Sequence, residues 1–145
     1  MKHHLSIFVA IFGALSMAGF APAGGEKDKK TEVEGAWKLT KGGKGAPKQI
    51  TFLGSNFVLT FDEDRVFKGT FKLNTTENPS WMDMTIQSGP EEKYKDKVIL
   101  CIYSFDSEFL NWCATAPGSK RRPQQFVEVM GDARLFLGAF EKDKK

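Results

Sequence analysis

Residues 67–73 have the sequence FKGTFKL, in which apolar and polar side chains alternate strictly. Phe67, Phe71 and Leu73 fall on one face of this stretch, and the lysines fall on the other. A period of two residues is typical of a β-strand with one buried face. The apolar run 57–61 precedes it, and residues 62–65 between them, DEDR, have turn composition. The two runs therefore predict a β-hairpin.

Short apolar runs of the same kind recur along the chain. They are separated by glycine, proline and asparagine at short intervals, which indicates meander connections and not helical crossovers. The predicted strands are 36–40, 49–53, 57–61, 67–73, 81–87, 98–105, 109–114, 126–130 and 135–140. They predict an all-β fold, a single antiparallel up-and-down barrel of about eight strands. A two-sheet sandwich is the alternative, and closure favours the barrel because it leaves no exposed edges.

The first 23 residues have the pattern of a signal peptide. A basic start, MKHH, is followed by an apolar stretch from Leu5 to Phe20 and by a small-residue site, Ala21-Pro22-Ala23. These parts in this order are typical of export signals, and the apolar stretch is shorter than the ~20 residues that a membrane span needs. We expect an exported protein, periplasmic or secreted, with no stable membrane span after cleavage.

The remaining chain predicts one small domain with charged ends. Residues 24–33 are expected to form a flexible charged spacer, residues 34–140 the barrel, and residues 141–145 a charged tail. Removing the leader takes away one lysine and no acid, so the formal charge falls from +3 to +2. Such a balanced surface favours neither nucleic acid nor an anionic membrane as a partner.

Both histidines, His3 and His4, lie in the predicted leader. The mature chain therefore lacks the imidazole of Ser-His-Asp and Cys-His catalysis and the commonest ligand of zinc, copper and haem iron. No phosphate-binding loop or EF-hand motif is present either. We expect a non-enzymatic protein with no cofactor and no metal. An enzyme that uses only carboxylates, among them Asp83, Asp106 and Glu128, is the remaining catalytic alternative.

Gly35-Ala36-Trp37, at the start of the first predicted strand, resembles the G-x-W signature of lipocalin-like barrels, in which the tryptophan closes one barrel end. Further matching segments follow in order, at 69–73, 102–106, 110–114, 117–118 and 122–126. With them, the chain resembles an uncharacterised family of small exported lipocalin-like domains expanded in Planctomycetes. The resemblance implies a fold and a compartment but no activity. The chain departs from true lipocalins in two respects: it is shorter, and the late basic residue that covers the tryptophan there has no clear counterpart near Phe140, where Arg134 is the candidate stand-in.

Aromatic side chains are expected to line the barrel. In such folds the usual ligand site is an apolar cavity at the barrel mouth, and plain packing of the interior is the alternative. The expected lining residues are Trp37, Phe57, Phe61, Phe67, Phe71, Tyr103 and Trp112. This reasoning predicts binding of a small apolar or amphiphilic molecule.

The sequences of two predicted loops indicate further candidate sites. Lys120, Arg121 and Arg122 form a basic run that suits an anion or a partner protein; the alternative is a solvated loop in which Arg122 and the next proline shape the approach to the following strand. The glycine-rich link 41–47 is expected to lie over the open end of the barrel, as a lid or as an ordinary loop. The alternative function is therefore a protein-interaction or protease-inhibitor-like module of the cell envelope that uses barrel-end loops such as 41–47 and 116–123.

Cys101 and Cys113 fall in consecutive predicted strands. If residues 106–108 form the loop, Cys101 lies opposite Cys113, and export favours a disulfide there. A register shifted by one residue places the two on opposite faces and leaves two buried thiols. The sequence is compatible with both.

Overall fold

The computed structural model describes residues 32–62 and 65–144. The predicted signal peptide, residues 1–23, lies outside the described residues, and so does the predicted spacer except for its last two residues. The barrel belongs to a unit that runs from Glu34 to Lys145.

Within the described residues the chain forms ten strands, eight of which close into an antiparallel barrel. The barrel strands are β1 (Gly35–Gly42), β2 (Gln49–Leu53), β3 (Asn56–Thr60), β4 (Val66–Asn74), β5 (Ser80–Ser88), β6 (Val98–Asp106), β7 (Phe109–Ala114) and β10 (Phe136–Lys142). Each strand pairs with the next around the barrel, and β10 closes it by pairing with both β7 and β1. The predicted up-and-down barrel is confirmed.

The barrel interior is filled by alternate residues of each strand. In β4, for example, Phe67, Gly69 and Phe71 are buried while Lys68 and Lys72 are exposed. Six of the seven predicted lining residues are buried, and the seventh, Phe61, is half-buried just beyond the end of β3. The six are Trp37, Phe57, Phe67, Phe71, Tyr103 and Trp112.

The eighth of the nine predicted strands, residues 126–130, is wrong, because it is not part of the barrel. Only Val129–Met130 is a strand, β8, and it pairs with β9 (Ala133–Arg134) in a separate two-stranded sheet. This sheet belongs to residues 115–135, the connection from β7 to β10, which we call the strap. The strap packs on the outer face of the barrel, and its apolar residues form a second, external core with Trp81, Ile102 and Cys113; they are Phe126, Val127, Met130 and Leu135.

Trp37 lies at one end of the barrel, where its ring packs 5.8 Å from the ring of Phe105. Its direct neighbour on β10 is Lys142, whose Nζ lies 5.3 Å from the centre of the Trp37 ring. A cation over an aromatic face is attracted by the ring quadrupole. The basic cover of the tryptophan is therefore Lys142, and the expectation of Arg134 is wrong, because Arg134 is exposed on β9.

Candidate functional site

A cavity of about 370 Å³ lies at the barrel end opposite Trp37. We call it the open-end cavity. It is bounded by the β1–β2, β3–β4 and β5–β6 connections and by the first residues of the strap. Its wall is mostly apolar and includes Leu59, Phe61, Phe67, Ile86, Ile99, Trp112, Ala114 and Phe136. The volume lies near the lower limit of small-molecule sites, which span ~300–1,000 Å³.

The two-residue alternation that places side chains in the core also places the side chains of this wall. Leu59 and Phe67 are direct partners across β3 and β4, so one face of two strands contributes both side chains. Trp112 and Ile86 are each 1% exposed, whereas Phe61 and Phe136 are half-buried at the rim. The cavity is thus deep on the barrel side and open on the loop side.

Small residues leave the space free. Ala114 ends β7 facing inward opposite Cys101, where a larger side chain would project into the cavity. Gly45 and Ala46 contribute wall atoms from the β1–β2 connection. Gly45 has a φ of +85°, a left-handed conformation that favours glycine, and a Cβ there would lie 3.2 Å from the Phe136 ring. The glycine-rich link lies at the open end as expected, and its action as a lid stays a prediction.

The rim carries one arginine on an aromatic surface. The guanidinium carbon of Arg65 lies 5.5 Å from the ring centre of Phe61 and 5.6 Å from that of Phe67. Its Nη2 donates to the two carboxylate oxygens of Glu91 at 3.0 and 3.2 Å. Arg65 thus connects the β3–β4 loop to the segment just before the short 3-10 turn Glu92–Tyr94.

The buried indole N–H of Trp112 faces the Cys101 thiol, and this contact acts to lower the pKa of Cys101, against the larger effect of burial. Buried donors are nearly always paired. Trp112 also lines the open-end cavity, and its ring is 1% exposed. The ring therefore adds apolar surface to the deep part of the cavity wall.

The two cysteines face opposite sides of the sheet. The β6–β7 turn consists of two residues, Ser107 and Glu108, so Cys101 lies opposite Ala114 while Cys113 lies opposite Ile102. Cys101 faces the barrel interior and Cys113 lies under the strap, and both are free thiols. The register with a three-residue loop is wrong, and the alternative of two buried thiols is correct.

Burial raises the pKa of Cys101 well above its ordinary value, although nearby Arg122 acts in the opposite direction, and burial also raises the pKa of Cys113. Both thiols of the unfolded chain lose their protons near pH 8.5, while the folded chain keeps them. The folded state then binds more protons, so stability falls as the pH rises above about 8.5.

We expect the free energy of unfolding in urea to decrease between pH 8 and pH 10, by at most ~1.4 kcal/mol per pH unit for each thiol. The control is the double variant Cys101→Ala/Cys113→Ala, and the quantity compared is the slope against pH. A double variant that is as steep as the natural chain would contradict this explanation.

The three residues of the basic run in the strap differ in their exposure to solvent. Lys120 and Arg121 are exposed, whereas the Arg122 side chain is only 16% exposed. Arg122 donates from Nη2 to Asp83 Oδ1 at 2.6 Å and from Nη1 to the Cys101 carbonyl oxygen at 2.9 Å. Its guanidinium carbon lies 4.3 Å from the centre of the Trp81 ring. Arg122 therefore attaches the strap to the barrel, and anion binding by the exposed part of the run stays a prediction.

The three carboxylates considered for catalysis lie apart from the cavity wall. Asp83 is on the outer face of β5 beside Arg122, Asp106 ends β6, and Glu128 is in the strap. None of the three lines the open-end cavity. In the described part of the chain, no group of three or more His, Cys, Asp or Glu residues is placed to hold a metal ion.

No protein-family model matches this chain, and no curated protein and no solved structure matches it significantly. The resemblance to the exported lipocalin-like family therefore stays a prediction, and the case for a function depends on the open-end cavity. Across residues 32–62 and 65–144, no helix is long and apolar enough to cross a membrane.

Proposed function

We propose that this protein is an exported, non-enzymatic, lipocalin-like binding protein that takes a small apolar or amphiphilic molecule into the open-end cavity. The observation that supports this best is a cavity of about 370 Å³ with an aromatic and aliphatic wall at one end of a closed barrel. This space lies at the barrel mouth, beyond the interior that the alternate strand residues fill.

The chemistry of the wall favours apolar ligands. Removing apolar surface from water contributes roughly 25 cal/mol per Å², and the deep wall around Ile86 and Trp112 is aliphatic and aromatic. Polar side chains, Asp62, Arg65, Tyr94 and Thr115, also line the cavity. A molecule with an apolar body and one polar end matches this combination.

The proposal is tested by filling the cavity. Ala114→Leu adds three carbon atoms to the wall, which occupy space that the ligand would fill. We expect this variant to bind the neutral fluorescent probe N-phenyl-1-naphthylamine at least fivefold more weakly, because each methylene-sized group that the ligand no longer buries costs ~0.8 kcal/mol. Its stability is expected to stay equal or rise, since the added atoms occupy empty space. Binding is measured by fluorescence titration and stability by urea unfolding.

The matched control is Ala36→Leu, which adds the same atoms on the outer face of β1, opposite Thr51 of β2. This variant should bind the probe as the natural chain does. Failure of the natural chain to bind the probe saturably, or equal binding by a folded Ala114→Leu variant, would refute the proposal.

A further inference from the structure

We infer that Arg65 binds the polar end of the ligand, and that the ligand class is an amphiphile with a single carboxylate. This inference depends on the proposed function, because it specifies what the same cavity selects. It starts from a difference in chemistry along the cavity: the deep wall is apolar, and the charged groups are confined to the rim.

Arg65 is the only basic residue among the described residues that line the cavity. A guanidinium carries five N–H donors in a planar fork that matches the two oxygens of a carboxylate. Both contacts with Glu91 come from a single nitrogen, Nη2. Among the described residues, the Nε and Nη1 donors of Arg65 have no acceptor, so donors beyond the Glu91 pair are available to an oxygen of a second carboxylate.

The aromatic rings fix where the guanidinium lies. Phe61 and Phe67 are about equally distant from the guanidinium, and both line the cavity. A guanidinium over aromatic faces is poorly hydrated and held in position. The cation therefore sits directly above the apolar wall, where a chain inserted into the cavity would place its head group.

The existing ion pair does not block this role. The Arg65 side chain is 47% exposed and that of Glu91 is 37% exposed, and ion pairs at such exposure are weak. An incoming carboxylate can therefore share the guanidinium with Glu91 or replace it at little cost.

The acids of the rim restrict the charge of the ligand. Glu91 already neutralises part of the Arg65 charge, and Asp62 is paired with Lys48 at 3.0 Å. A head group with two negative charges would lie near these carboxylates, and both rim cations, Arg65 and Lys48, are already paired with acids. A monoanionic carboxylate matches the donors of Arg65 that the Glu91 pair leaves available.

The experiment measures displacement of N-phenyl-1-naphthylamine by octanoate, by octan-1-ol and by octyl phosphate, which share one tail. The natural chain is expected to prefer octanoate to both. Arg65→Gln should weaken octanoate about five- to tenfold, the usual size of a charge-assisted hydrogen bond at a half-exposed site. The same variant should change the affinity for octan-1-ol and for the probe less than twofold.

Two further variants make the result specific. Glu91→Gln removes the competing carboxylate and should tighten octanoate binding, the opposite of the Arg65→Gln effect. Arg65→Lys keeps the charge but loses the fork, so it should restore only part of the affinity. Arg121→Gln is the matched control, because it removes an exposed arginine of the strap that does not line the cavity.

The outcomes separate this inference from the function on which it depends. Equal loss of octanoate and octan-1-ol in Arg65→Gln would mean that Arg65 only shapes the rim, and this would overturn the inference. So would a natural chain that binds the alcohol or the phosphate as tightly as the carboxylate, while the proposed function would stand. Absence of binding of the probe and of all three competitors would refute the function itself.

Discussion

Replacing Gly69 with alanine is expected to lower the free energy of unfolding by about 4 kcal/mol, a large part of the roughly 5–15 kcal/mol that stabilises a domain. Gly69 lies on the inner face of β4 at a bulge, where the register with β5 shifts between Lys68 and Gly69. A Cβ at this position would overlap the carbonyl oxygen of Thr85 and lie 2.8 Å from a ring carbon of Phe57. The carbonyl belongs to the backbone of the neighbouring strand, so it cannot move without breaking the pairing.

The comparison that makes this specific is Gly54→Ala in the β2–β3 turn. Gly54 has a φ of +63°, and a Cβ there would have no atom within 4 Å. Its substitution should cost only ~1 kcal/mol, the ordinary penalty of a left-handed conformation for alanine. Urea unfolding followed by tryptophan fluorescence measures both variants, and a Gly69→Ala barrel as stable as Gly54→Ala would disprove the backbone clash.

Arg122→Ala is expected to lower the free energy of unfolding by about 2–3 kcal/mol and to release the strap. The substitution leaves the Asp83 carboxylate and the Cys101 carbonyl without their donor and uncovers the Trp81 ring. Breaking a buried pair costs ~3–5 kcal/mol, and the smaller value here follows from the 44% exposure of the Asp83 side chain.

Limited proteolysis with trypsin distinguishes release of the strap from a uniform loss of stability. In Arg122→Ala the chain should be cut after Lys120 or Arg121 under native conditions faster than in the natural protein. Arg121→Ala is the control for stability, because its exposed side chain should change the free energy of unfolding by less than ~0.5 kcal/mol. An Arg122→Ala variant with unchanged stability and unchanged cleavage would show that the strap does not depend on this residue.

The barrel and most of its interior are predictable from the sequence because strand alternation is a local property. The β2 and β7 ranges, 49–53 and 109–114, match the structure at both ends, and the inward faces of the aromatic residues follow from the same period. The run 126–130 fails for a specific reason. An apolar segment must be covered, but its sequence does not say whether the barrel interior or the barrel exterior covers it.

The sequence likewise predicts some residues of the open-end cavity and misses others. Phe61, Phe67 and Trp112 are expected at the barrel lining from the sequence, and the glycine-rich link is expected at the open end. From the sequence alone, Arg65 is only part of a turn. Its position over two phenylalanine rings, and its pairing with Glu91 twenty-six residues later, depend on the closure of the barrel.

By itself the sequence determined most of the strand-forming segments and their inward faces, because each is set by residues within one short stretch, and its composition places no histidine after His4. The tertiary structure decided which face each cysteine takes, that Lys142 covers Trp37, and that the strap lies outside the barrel. These features depend on register and on contacts between distant segments. Because the β6–β7 turn has two residues and not three, every residue of β7 faces the opposite side of the sheet from the one predicted. No local sequence pattern fixes the length of this turn.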